Sequence, residues 1–192
     1  TKIYQTLVKE ISNHFPNLIS IFVKINTEPP QLLYGSPTIT ETIGELSFTI
    51  SPQSFFQPNS KQATILYNEV KKAAALTGTE IVYDLYCGTG TIGLYLANNA
   101  KQIYGIEEIP EAITNAIKNA EKNKITNTHF LVGRVKNRLK EIIEGRLATI
   151  PKPDCIIIDP PRSGIVPKAL QRIIQLNPKK IVYVSCNPDT LL

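Results

Sequence analysis

The chain opens with apolar residues at helical spacing, Ile3, Leu7, Val8, Ile11 and Phe15, and the pattern ends at Pro16. Ile19–Ile25 then reads as a strand. Asn26–Tyr34 carries Pro29-Pro30 and reads as a loop or irregular strand edge, because adjacent prolines remove ladder donors. Gly35–Ile50 alternates apolar and polar positions around Gly44, which predicts a small antiparallel element. From Asn59 a helical pattern runs through Ile65, Leu66, Val70 and Ala73-Ala74 to about Thr77-Gly78, where glycine is expected to stop it.

Beyond this point strands and helices alternate. Strands are predicted at Ile81–Tyr86, Gln102–Glu107, Thr128–Val132, Asp154–Ile158 and Ile181–Ser185, with helices at Leu94–Ala97, from Pro110 onward, at Lys136–Glu144 and at Lys168–Leu176. Pro110 suits a first helical position, where its missing amide hydrogen leaves nothing unpaired. Apolar runs without alternation imply strands covered on both faces, as in a parallel sheet. The expected fold class is therefore α/β, a Rossmann-like sheet of five visible strands. Residues 58–192 would form its core and 1–57 a small α+β appendage or linker.

Composition adds limits. Of 192 residues, 42% are hydrophobic and 19% charged, a globular balance. The net charge of +5 permits a nucleic-acid partner without requiring one. No apolar run approaches the roughly 20 residues that span a bilayer, and the N-terminus lacks a signal-peptide pattern. Cys87, Cys155 and Cys186 share no metal-ligand spacing, and an odd number of thiols suits a reducing compartment. A cytoplasmic protein without disulfide framework or metal is expected. The start at Thr1 and the end at Leu192 read as those of an excised piece.

The chemistry is concentrated in Ile81–Gly93, IVYDLYCGTGTIG, a strand that breaks into Gly88, Gly90 and Gly93 before a helix resumes. Gly88-x-Gly90-x-x-Gly93 satisfies the dinucleotide fingerprint, but Asp84 at the strand end would repel a pyrophosphate. That carboxylate favours a ligand with a protonated amine and a sulfonium centre, S-adenosylmethionine. The DxxCGxG pattern resembles motif I of the class I methyltransferases. Glu107 ends the next strand, where a carboxylate can accept hydrogen bonds from both ribose hydroxyls.

Two further segments end strands on the same edge. Asp159-Pro160-Pro161-Arg162 follows the fourth strand, and its prolines make a rigid rim. In the related loop of amino-group methyltransferases an aromatic residue stands where Arg162 stands, which weighs against N-methylation. Val184-Ser185-Cys186-Asn187 follows the fifth strand, and Cys186 is either an inert thiol or a nucleophile. Uracil C5 attacks a methyl sulfonium poorly unless a thiolate first adds to C6 and makes C5 enolate-like.

DLYCGTG, IDPPRSG and VSCNPDT, in this order and preceded by Ser54-Phe55-Phe56-Gln57-Pro58-Asn59, resemble the RNA 5-methyluridine methyltransferases over about Ile25 to Leu192. The resemblance implies cofactor binding by Gln57, Tyr86, Glu107 and Asp159, alongside Asp84, Gly88 and Gly90 read from the turn, with Cys186 as nucleophile. It implies RNA as partner, with the SFFQPN and LTGTEIVYDLYCGTGTIGL stretches closer to the bacterial 23S ribosomal RNA branch than to the transfer RNA branch. Gly133-Arg134-Val135-Lys136 departs from the acidic residue of many relatives, and the family's general-base glutamate, its last two strands and its oligonucleotide-binding barrel have no counterpart in these residues. An amino methyltransferase, a catalytically silent RNA-binding module and a dinucleotide oxidoreductase remain as alternatives.

Overall fold

The computed structural model describes residues 2–52 and 56–185. Helix α1 (Lys2–His14) leads into an antiparallel pair, β1 (Ser20–Val23) and β2 (Gln31–Gly35), whose register shifts between Ile21 and Phe22. The two prolines lie just ahead of β2, so the segment from Gln31 keeps its donors and pairs as a strand. A second hairpin, β3 (Ile39–Ile43) and β4 (Leu46–Ile50), turns at Gly44, whose φ of +59° lies in the left-handed region.

Helix α2 (Ser60–Ala74) is capped at its start by Asn59, whose side chain accepts from the Gln62 amide. It ends before the expected glycine. Ala75 adopts the left-handed cap, and the carbonyl of Ala74 receives Lys180 Nζ at 2.8 Å. A cation from a strand more than a hundred residues away thus helps satisfy the end of the helix, and Gly78 serves the turn that follows.

The core sheet runs β7-β6-β5-β8-β9, all parallel, from β5 (Ile81–Leu85), β6 (Gln102–Glu107), β7 (Thr128–Val132), β8 (Cys155–Ile158) and β9 (Lys180–Tyr183). Between them lie α3 (Thr91–Leu96), α4 (Pro110–Lys122), α5 (Val135–Ile143) and α6 (Pro167–Leu176). Every residue of β5 and β8 is buried, as expected for strands that are apolar at every position but Asp84. The strand period of two splits the core. Ile81, Tyr83 and Leu85 pack with α5 and α6, whereas Val82 packs with α2, α3 and the β3–β4 hairpin. Asp84 belongs by the same alternation to the α3 side. The sheet order reverses direction at β5, between β6 and β8, and the crevice outside the carboxyl ends of these strands is where open α/β sheets bind ligands. No described helix is long and apolar enough to cross a membrane.

Candidate active site

A narrow cleft opens at that crevice, lined by Phe56, Gln57, Tyr67, Asp84, Tyr86, Cys87, Gly88, Thr89, Thr91, Ile92 and Asp159. Five of the residues singled out in the sequence, Gln57, Asp84, Tyr86, Gly88 and Asp159, therefore meet at one place. Glu107 joins them through Gly88, whose amide donates to its Oε2 at 3.1 Å. Its Oε1 accepts from the amides of Glu108 and Ile109 at 2.8 and 3.0 Å. Gly90 lies beneath the cleft as the N-cap of α3; with φ +78°, a side chain there would be strained, and a β-carbon would meet Phe130 and Ala116 at about 3 Å. A wider hollow lies on α2 beside Asn68, Lys71 and Asn99, away from every sequence motif.

Burial shapes the electrostatics. Asp84 is 1% exposed; its Oδ2 accepts from the Gly93 amide at 2.8 Å, while its Oδ1 has no protein partner. Desolvation pushes its carboxyl up to about 7, and the neighbouring charges of Asp159 and Glu107 push in the same direction. Burial raises Asp159 to about 6. Burial also pushes the Cys87 thiol well up, which keeps it protonated beside the two acids.

Tyr86 follows β5 with a φ of +64°, a left-handed conformation that costs a non-glycine residue roughly 1–2 kcal/mol. Two backbone bonds hold it there, since the amides of Tyr86 and Cys87 both donate to the Ile106 carbonyl. The strained turn aims the chain away from the sheet at the point where the glycines begin.

Sequence reasoning missed three contributors. Tyr67 of α2 is 1% exposed and its hydroxyl pairs with Thr91 Oγ1 at 3.0 Å, flooring the cleft from a helix more than twenty residues away. Thr89 buries an unpaired hydroxyl in the lining. Only the x positions of the glycine pattern could have pointed to the threonines, and nothing in the spacing of α2 distinguishes Tyr67 from a core aromatic. On the far side of the cleft, β9 ends beside Asp159, because the Val184 amide donates to the Ile158 carbonyl at 2.8 Å. Cys186 lies outside the described residues, as do Ser54, Phe55 and Asn187.

These groups fit S-adenosylmethionine. An unpaired buried carboxylate oxygen and a second acid offer acceptors for an ammonium and a favourable field for a sulfonium. The carboxylate of Glu107, held by three backbone amides, keeps one acceptor site on Oε2 for a ribose hydroxyl, and Gly88 leaves the approach to it free of a side chain.

Known proteins resemble this chain in sequence and in fold. A family model described as tRNA (uracil-5-)-methyltransferase matches residues 39–192. An uncharacterized RNA methyltransferase of Bacillus cereus is 43% identical over 196 residues, covering 97% of this chain and 42% of that protein. One from Halalkalibacterium halodurans is 46% identical over 193 residues, covering 96% and 41%. The chain thus spans about two-fifths of the length of these relatives. Among solved structures, the Pyrococcus abyssi tRNA (uracil-54, C5)-methyltransferase in complex with S-adenosyl-L-homocysteine superposes with a TM-score of 0.73 at 30% identity, covering 94% of this chain and 44% of that one. The M. jannaschii tRNA m1G37 methyltransferase, at 19% identity and a TM-score of 0.60, shares the fold, covering 88% of this chain and 49% of that one. The expected cofactor, S-adenosylmethionine, accords with the P. abyssi complex. Since the match runs from the β3 hairpin through every strand of the core sheet, the chain belongs to the tRNA (uracil-5-)-methyltransferase family.

Proposed function

We propose that this chain is the S-adenosylmethionine-binding catalytic core of an RNA methyltransferase that acts on C5 of uridine through a covalent adduct between Cys186 and C6. The observation that carries the reading is the meeting of Asp84 and Asp159 in one cleft at the sheet's switch point, with Glu107 clamped to the Gly88 amide of its lining, a cradle for a cationic nucleoside. The cofactor supplies the methyl group. Cys186 adds to C6 as thiolate, C5 gains the methyl group, the C5 proton leaves to a base, and elimination of the thiolate restores the pyrimidine. The target must be unstacked to reach the thiol, at a cost of a few kcal/mol that is smallest in a loop. Asn187 is assigned to the pyrimidine edge or to holding the adduct. The setting is the cytoplasm, where RNA is modified.

The ribosomal RNA preference rests on the SFFQPN and LTGTEIVYDLYCGTGTIGL stretches, whereas the family description and the P. abyssi relative name transfer RNA. Both substrates therefore enter the test. The full-length protein is mixed with S-adenosylmethionine and with 23S ribosomal or transfer RNA containing 5-fluorouridine, and a denaturation-resistant adduct is sought. Fluorine at C5 blocks the final proton removal, so an adduct that disappears in Cys186→Ala supports the mechanism and identifies the RNA class. Methylation without any adduct, and equal in Cys186→Ala, would favour the amino-group alternative.

A further inference from the structure

Helix α4 carries asparagines at positions 115 and 119, and Asn123 caps its end. Asparagine is a poor helix former because its amide competes with the backbone, so three of them at four-residue spacing need a reason. Each meets β4. Asn123 accepts from the Ser47 amide at 2.9 Å and donates to the Ser47 carbonyl at 2.8 Å. Asn119 accepts from the Thr49 amide at 2.7 Å and donates to the Thr49 carbonyl at 3.3 Å. Asn115 donates to Ser51 Oγ at 2.8 Å.

The match is geometric. Four helical residues rise about 6 Å and two strand residues about 6.6 Å, so asparagines at i, i+4 and i+8 stay in step with alternate residues of a strand. The primary amides of Asn119 and Asn123, each with an acceptor oxygen and donor nitrogen, stand in for the neighbouring strand that β4 lacks on this edge.

Asn119 does more than its neighbours. It is fully buried, and its Nδ2 also donates to the Thr89 carbonyl at 3.3 Å. Thr89 is part of the glycine turn and lines the cleft. One amide thus joins the glycine turn to β4, and β4 leads toward Phe56 and Gln57 on the opposite wall. Phe48 of β4 packs on Phe56 with ring centroids 6.0 Å apart, a second link between that strand and the wall.

We infer that Asn119 is a positioning residue for the cofactor cleft, setting the distance between the glycine turn and the segment that carries Gln57. The inference rests on the cofactor reading above. Asn119→Asp keeps the acceptor for the Thr49 amide but sets a carboxylate against the carbonyls of Thr49 and Thr89; Asn119→Ser is a small uncharged alternative should the charge prevent folding. Asn123→Ala removes a rung of the same ladder away from the cleft.

The experiment measures S-adenosylhomocysteine binding by calorimetry and thermal unfolding, in the full-length protein and these variants. Wild type without measurable binding would sink the cofactor reading itself. Given wild-type binding, Asn119→Asp or Asn119→Ser is expected to weaken it at least about tenfold. Asn123→Ala is expected to lower the unfolding temperature while holding affinity within about twofold. Combining Asn119→Ser with Gln57→Ala should cost less than the sum of the single effects, since both disturb one wall. Unchanged affinity in the Asn119 variants overturns the inference. So does equal loss in Asn123→Ala, which would make the ladder a general staple.

Discussion

The Gly88 amide donates to Glu107 Oε2 at 3.1 Å, so the acid at the end of β6 is clamped against the first glycine after β5. With the amides of Glu108 and Ile109 on its other oxygen, the carboxylate is oriented before any ligand arrives.

Glu107→Gln should disturb this clamp, because a carboxamide offers one acceptor oxygen where three amides need two. Either Gly88 or the Glu108–Ile109 pair faces an NH2 group instead. Affinity for S-adenosylhomocysteine is expected to fall by about 10–100-fold, the range for a lost charge-assisted hydrogen bond. Calorimetry checks this, and a wild-type dissociation constant in the variant would remove Glu107 from the ligand site.

Asp84, raised to about 7, and Asp159, raised to about 6, give the site a pH dependence with a defined sign. Because their folded values lie above the ordinary carboxylate value of 3.8, the folded state holds these protons more tightly than the unfolded chain. Their contribution to stability is complete below pH 4 or so and declines as pH rises through 6 and 7. Asp84→Asn should flatten that decline in denaturant titrations across this window. A cationic ligand reverses the preference by favouring ionised carboxylates. Cofactor affinity should therefore rise with pH, by up to about tenfold per unit for each acid that must ionise, and binding should release protons in calorimetry run in two buffers. Affinity independent of pH between 5 and 8 would show that neither acid faces the ligand's charge.

Gly93 lets α3 approach β5 closely. A β-carbon there would lie 2.9 Å from Asp84 Oδ2 and 3.2 Å from Ile103 Cγ2. Gly93→Ala should destabilise the protein by about 1–3 kcal/mol in chemical denaturation, the range for overpacking a tight core. The same variant should weaken cofactor binding, because the Gly93–Asp84 hydrogen bond lengthens.

Tyr67→Phe tests the floor of the cleft. It removes one hydroxyl that pairs with Thr91 and leaves the ring in contact with Tyr95, at 5.6 Å between centroids. A loss of about 1 kcal/mol in stability is expected. If the hydroxyl also orders Thr91 for the ligand, affinity for S-adenosylhomocysteine drops in parallel; unchanged affinity would restrict Tyr67 to packing.

What lies along one stretch of chain was legible beforehand. The glycine turn is readable because tight turns need small residues within a few positions of each other. The strands β5 and β8 announce themselves because burial on both faces leaves them apolar at every position but Asp84. Asn59 and Pro110 mark helix starts by chemistry that reaches no farther than the first turn.

The end of α2 shows where such reading stops, just as the start of α3 at Thr91, three residues ahead of the expected Leu94, does inside the glycine turn. Glycine at 78 suggested the terminus of α2, yet the helix ends at Ala74, with Lys180 of β9 on its last carbonyl. A partner so distant leaves no periodic mark near the helix.

Composition, strand and helix succession, the ligand class and the family were thus determined by the sequence itself, since each depends on local propensity or on residues close along the chain. The order β7-β6-β5-β8-β9, the unpaired Asp84 oxygen, the Tyr67–Thr91 pair and the asparagine ladder from α4 to β4 were decided only by tertiary structure. In a helix, an asparagine that grips a strand 70 residues earlier has the same spacing as one that faces water. Only packing, which excludes that water and brings the strand's free edge within hydrogen-bonding reach, tells the two apart.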